Sequence, residues 1–223
     1  MVQVFSRVRG ALLAGACAVV LSGCAGNVAP EVKRLPERVE LSGTFYRGEA
    51  NQSGPQVLAS LLSQQGIVIT PGLLEKPLHL PGAEDKLQQN MQNLAREYGL
   101  MVYPLDSKLP ALLTQVAAGY PVMVRFSEGS AFWAEPRYAI LSGYDRNKQK
   151  VLLRAGMNRR QLMDFASFES ALEKAGGWAI LIQKPAQIPA AVDRSRWLKA
   201  ADELAQAGEE NAAAQARKAL AAQ

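Results

Sequence analysis

The order of segments predicts a domain of mixed helices and strands, of class α+β, followed by a separate pair of helices. Three observations predict it. The turn Gln52-Ser53-Gly54-Pro55 opens an apolar helical run. A succession of short extended segments fills the stretch from about residue 121 to residue 182. Two alanine-rich helical stretches then close the chain after a proline-bounded linker.

Residues 1–23 read as a lipoprotein signal peptide. Arg7 and Arg9 form a positive head, Ala11 to Leu21 an apolar run, and Leu21-Ser22-Gly23-Cys24 resembles a lipobox with Cys24 as the lipidated residue. That run is too short to span a bilayer permanently. Cleavage before Cys24 discards Cys17, so one mature chain cannot close a disulfide on itself. Ala25 and Gly26 follow the cysteine where no acid stands, which by resemblance to bacterial lipoproteins implies an outer-membrane anchor; the periplasmic side is expected, although these two residues do not specify the leaflet. Loss of Arg7 and Arg9 takes the formal net charge from +5 to +3, with bases scattered among acids. No basic stripe of the kind that binds nucleic acid is present, and nucleic-acid binding is excluded on that ground.

Residues 24–40 mix Pro30, Pro36 and charges without an apolar period and read as a tether, so the folded domain is expected over 41–184. Phe45-Tyr46 leads into a helix from about residue 54 to 65, in which Val57, Leu58, Leu61 and Leu62 share one face and Gly66 marks the stop. Thr70-Pro71 has the form of another helix start. Leu87, Met91, Leu94 and Tyr98 recur at helical spacing before Gly99. A strand at 100–103, a helix at 108–118 capped by Ser107 and a buried strand at 121–126 come next. Residues 127–136 read as a loop carrying Phe132 and Trp133, followed by strands at 138–144, 151–153, 160–163 and 178–182, with a helix at 168–173. Residues 185–190 form the linker, and 191–223 a helical hairpin similar in form to one tetratricopeptide unit. Such a hairpin cannot bury both faces alone, so it packs on the domain, stacks on another repeat or binds a partner.

Ser53 stands where a helix cap is wanted, and Gln56 three residues on completes a capping box. A side chain on that first turn also sits in the positive field of the helix dipole, where a nucleophile is activated. His79, the one histidine, lies among turn residues with no metal ligands at useful spacing. No metal or cofactor is expected.

Phe45-Tyr46, then Gln52-Ser53-Gly54-Pro55 and an apolar helix, together with Arg137-Tyr138-Ala139-Ile140-Leu141-Ser142-Gly143-Tyr144-Asp145, resemble the bacteriocin-processing double-glycine peptidases. The resemblance covers about residues 41–184. It implies a papain-like peptidase fold with an antiparallel sheet and N-terminal-side helices, to which the C-terminal α-hairpin is added. It also implies that the family's catalytic cysteine, histidine and aspartate fall at Ser53, Arg137 and Ala155, and its oxyanion glutamine at or near Gly48. A serine hydroxyl needs a neighbouring base to become a nucleophile, and a guanidinium offers no acceptor. The expected protein is therefore a catalytically inactive peptidase-like lipoprotein that binds an envelope protein or peptide. The alternatives are a residual hydrolase using Ser53 and a purely structural envelope lipoprotein. If the family fold holds, Arg137 near the Ser53 helix terminus would form an anion site, with Trp133 as its apolar wall; the alternative is that Arg137 points into solvent or pairs with Glu135 or another nearby acid.

The signal-peptide reading makes a direct prediction. Cys24→Ser shifts the protein from the membrane pellet to the soluble fraction, whereas a wild-type chain already soluble and unprocessed at its N-terminus contradicts it.

Overall fold

The computed structural model of the chain describes residues 29–129 and 134–223. Cys24 and Trp133 lie outside the described residues. In chain order the elements are α1 (Pro30–Lys33), β1 (Arg38–Glu40), α2 (Ser53–Gln64), α3 (Pro71–Glu75), α4 (Leu87–Glu97), β2 (Met101–Pro104), α5 (Leu109–Ala117), β3 (Val122–Gly129), β4 (Ala134–Asp145), β5 (Lys150–Ala155), β6 (Asn158–Asp164), α6 (Phe165–Lys174), β7 (Ala179–Gln183), α7 (Arg194–Gln206) and α8 (Glu210–Ala221).

The strands form one antiparallel sheet in the order β2-β7-β3-β4-β5-β6, with β1 added against β4. Alternation along the strands divides the apolar side chains between two cores. Met123, Ile140, Ile180 and Ile182 face Leu58, Leu61 and Leu62 of α2 and Met91 and Leu94 of α4. Val122, Val124, Leu141 and Leu181 face α5 and α6 through Leu112, Val116, Phe168 and Leu172. The expected α+β class and antiparallel sheet are present, and the sheet is sandwiched between helical layers.

The tether expectation for residues 24–40 requires correction, because residues 30–40 belong to the folded domain. Val32 of α1 is fully buried in the core beside α5. Arg38, Val39 and Glu40 pair with Asp145, Tyr144 and Gly143 of β4. Gly143 is required there, since a Cβ at that position would stand 2.4 Å from the Val39 carbonyl oxygen. β4 is also bulged between Leu141 and Gly143, so β3 flanks its first half and β1 its second. The loop expected over 127–136 is shorter than read: β3 runs to Gly129 and β4 starts at Ala134, with Glu128 opposite Glu135.

The C-terminal hairpin packs on the domain and shares its core. Trp197, Ala201, Leu204, Ala213 and Ala216 are fully buried with the sheet residues. The Trp197 indole donates to the Ala216 carbonyl at 2.8 Å and its ring lies 5.9 Å from that of Tyr103 on β2. Gln115 of α5 clamps the linker from both sides, donating to the Ala190 carbonyl at 2.7 Å and accepting from its N–H at 3.0 Å. Asp193 caps α7 by accepting from the Arg196 N–H at 2.9 Å. Trp197→Ala is expected to cost about 3–5 kcal/mol and to lower the melting of the whole domain in one transition. A separate, earlier transition for the hairpin contradicts the shared core.

Candidate functional site

The short helical turn Ala50–Gln52 leads into α2, so Ser53 is already inside the helix and Gln52 holds the cap position without a side-chain cap bond. The capping box is thereby replaced by other bonds. Ser53 Oγ, 95% buried with the rest of its residue, accepts from the backbone N–H of Tyr138 on β4 at 3.1 Å. Gln56 turns back and donates to the Glu49 carbonyl at 3.3 Å. The N-terminus of α2 is fastened to the middle of the sheet rather than capped by its own side chain.

Two main-chain contacts gather the positions singled out from the sequence. Ser53 meets residue 138, next to Arg137, and the Gly48 N–H donates to the carbonyl of Gly156, next to Ala155, at 3.4 Å. The side chains do not converge in the same way. Tyr138 and Ile140 pack with α2, whereas Ala139 and Leu141 belong to the opposite core. Alternation puts Arg137 on that opposite face, where its Nη2 donates to Glu135 at 2.9 Å and its Nε lies 3.7 Å from Glu128. The expected anion site is corrected accordingly: the guanidinium is engaged by two carboxylates and is not aimed at the helix terminus. Ala155 is buried among apolar side chains at the end of β5. His79 stands exposed on the loop between α3 and α4, with its N–H bonded to the Lys76 carbonyl at 3.0 Å.

Two residues at this site, Tyr138 and Gln56, have roles that the sequence pattern does not assign to them. Tyr138 follows Arg137 directly, and its ring meets that of Trp178 edge-on at 5.7 Å. Burial pushes the Tyr138 phenol up to about 12, against the opposing field of Arg125. It is therefore a neutral phenol at ordinary pH and no base for Ser53. Gln56, only 4% exposed, fills the space beside Gly48: a Cβ on residue 48 would lie 1.9 Å from Gln56 Nε2. Its Oε1 is buried without a partner. Among the described residues no cluster of His, Cys, Asp and Glu is arranged to hold a metal ion.

No family model and no curated protein matches the chain. Among solved structures it is similar to one described as a C39-like peptidase from Bacillus anthracis, at 16% identity over 67% of this chain and 98% of that one, with a TM-score of 0.51. It is also similar to a double glycine motif protease from an AMS/PCAT transporter, solved with its leader peptide (12% identity, 65% and 94% coverage, TM-score 0.46). A further neighbour is the peptidase domain of Streptococcus ComA, a bifunctional ABC transporter of a quorum-sensing pathway (16% identity, 62% and 97% coverage, TM-score 0.47). The Bacillus anthracis structure carries the assignment, and it shows that residues of this chain adopt the C39-like peptidase fold.

The Ser53 contact can be tested on its own. Ser53→Ala leaves the Tyr138 N–H buried without an acceptor and is expected to cost about 1–3 kcal/mol in denaturant unfolding. Ser53→Thr, which keeps the hydroxyl, recovers the larger part unless its methyl group is crowded. A neutral Ser53→Ala contradicts the role assigned to the bond.

Proposed function

We propose that this chain is a catalytically inactive peptidase-fold protein that serves as a protein- or peptide-binding module, held at the outer membrane on the periplasmic side by a lipid on Cys24. The observation that carries the inactivity is the state of Ser53. Its oxygen is committed to the Tyr138 N–H, the neighbouring phenol is neutral, and the side chain at 137 is a guanidinium bound to Glu135 and Glu128. General-base activation of a hydroxyl needs an acceptor within hydrogen-bond reach, and none of these groups supplies one. The oxyanion side points the same way, because the space beside Gly48 holds a structural glutamine from α2.

Binding is supported by the seam between the peptidase-like domain and the hairpin. A groove of about 530 Å³ runs between α4 and α7, lined by Gln89, Gln92, Asn93, Arg96, Glu97 and Glu203 among others. Arg96 is 93% buried at its floor and pairs with Glu203 at 2.5 Å, which fixes the groove's shape. Amide and charged side chains at a rigid floor suit a polar peptide segment better than an apolar one.

The purified protein is expected to leave double-glycine leader peptides uncut and to give no Ser53-dependent labelling with a fluorescent acyl probe. Turnover that disappears in Ser53→Ala identifies a hydrolase instead. Capture from detergent-solubilised envelopes, compared with an Asn93→Trp/Gln206→Trp variant that fills the groove, tests the binding reading. Equal recovery of every partner by both proteins removes the groove from it.

A further inference from the structure

The packing of α1 and β1 leaves only residues 25–28 between Cys24 and the first described residue, Ala29. Five peptide units extend at most about 18 Å. A lipid on Cys24 therefore holds α1 close to the bilayer, and the charge on that end of the molecule becomes relevant. The β4–β5 turn lies against α1 and β1: the Arg146 N–H donates to the Glu37 carbonyl at 2.8 Å, and its guanidinium donates to the Lys33 carbonyl.

Residues 29–40 and 145–150 contain six basic and four acidic side chains. Two of those acids are ion-paired, Glu40 with Arg160 and Arg38, and Glu37 with Arg146 at 4.0 Å, while Asp145 accepts the backbone N–H of Lys148. Arg38 and Arg160 hold the Glu40 carboxyl below its ordinary range, Arg160 through the stronger hydrogen bond. Lys33, Arg34 and Lys148 are exposed and make no ion pair among the described residues. Beside Lys148 a hollow of about 230 Å³ is lined by Arg38, Lys148, Lys150 and Arg160 together with Glu40 and Asp145, and by the apolar Val39, Leu152 and the 56% exposed Leu162. Four cations against two acids beside apolar side chains, next to the point where an acyl-anchored chain enters the fold, match the headgroup layer of an acidic membrane.

We propose that this end of the molecule is a membrane-apposed face, which binds acidic phospholipid headgroups through Lys33, Arg34 and Lys148. The inference rests on the reading of Cys24 as the anchor. It sets the Ser53 contact back from the bilayer, since Tyr138 precedes Asp145 by seven residues of β4, about 20 Å along the strand.

The full acylated protein, reconstituted in vesicles, provides the test. Cys24 is the only cysteine after cleavage, so Asn147→Cys or Ala134→Cys each carries a single fluorescent donor at one end of β4. The vesicles, of phosphatidylethanolamine with phosphatidylglycerol or of phosphatidylcholine alone, carry headgroup acceptors. Energy transfer from residue 147 is expected to exceed that from residue 134 in the acidic vesicles. It should fall at least about twofold in phosphatidylcholine, in high salt and in Lys33→Glu/Arg34→Glu/Lys148→Glu. Mass spectrometry of the same preparation reports the acyl group. Acylated protein whose signal ignores lipid charge, salt and the triple reversal overturns the apposition alone. Unacylated protein left in the aqueous phase overturns the anchor reading and the apposition with it.

Discussion

Every layer of the molecule is tied to β4. One edge of that strand is shared in sequence by β3 and β1, the other is bonded to β5, and its two faces feed the two cores. At the handover from β3 to β1 stands Gly143, where any side chain would strike the Val39 carbonyl. The N–H of Tyr138 then fixes the end of α2 through Ser53. Strand pairing, helix docking and the entry of the chain into the fold thus meet within eight residues. A strand in that position has little freedom to move, and the Ser53 contact inherits its rigidity.

The same rigidity reaches the neighbourhood of Ser53. The backbone brings residues 48, 53, 137 and 155 into one neighbourhood, while the Ser53 hydroxyl is bonded to the sheet backbone and Arg137 pairs with Glu135 and Glu128. The same placement that would activate a nucleophile at the helix terminus serves here to seat the helix. The C-terminal hairpin extends the effect, because Trp197 and Gln115 lock it to β2 and α5 instead of leaving it as a hinged arm.

Much of this was legible in the sequence, and the misreadings have particular causes. The apolar faces of α2 and α4 repeat at helical spacing and were plain. α1 and β1 were not, because Val32 and Val39 stand singly among charges, and a three-residue strand contributes main-chain bonds rather than a pattern. The Ser-x-x-Gln pattern at 53–56 fits a capping box, yet the helical turn at 50–52 moves the serine inside the helix and frees both side chains for distant partners. The orientation of Arg137 was hidden because β4 is buried on both faces. Tyr138-Ala139-Ile140-Leu141 then shows no alternation of apolar and polar residues to say which way residue 137 points. The pair with Glu135, two residues back on the same strand, is legible from the sequence, whereas the contact with Glu128 depends on the register of β3, which no local pattern encodes.

The Gln56 amide beside Gly48 also bears on how this protein can change over generations. A side chain at 48 and the present side chain at 56 claim one volume. The atom in the way is the far end of a flexible side chain, so a side chain at 48 is admitted only if the Gln56 amide swings aside and gives up its bond to the Glu49 carbonyl. Residues 48 and 56 therefore change as a pair rather than independently, a coupling set by packing alone.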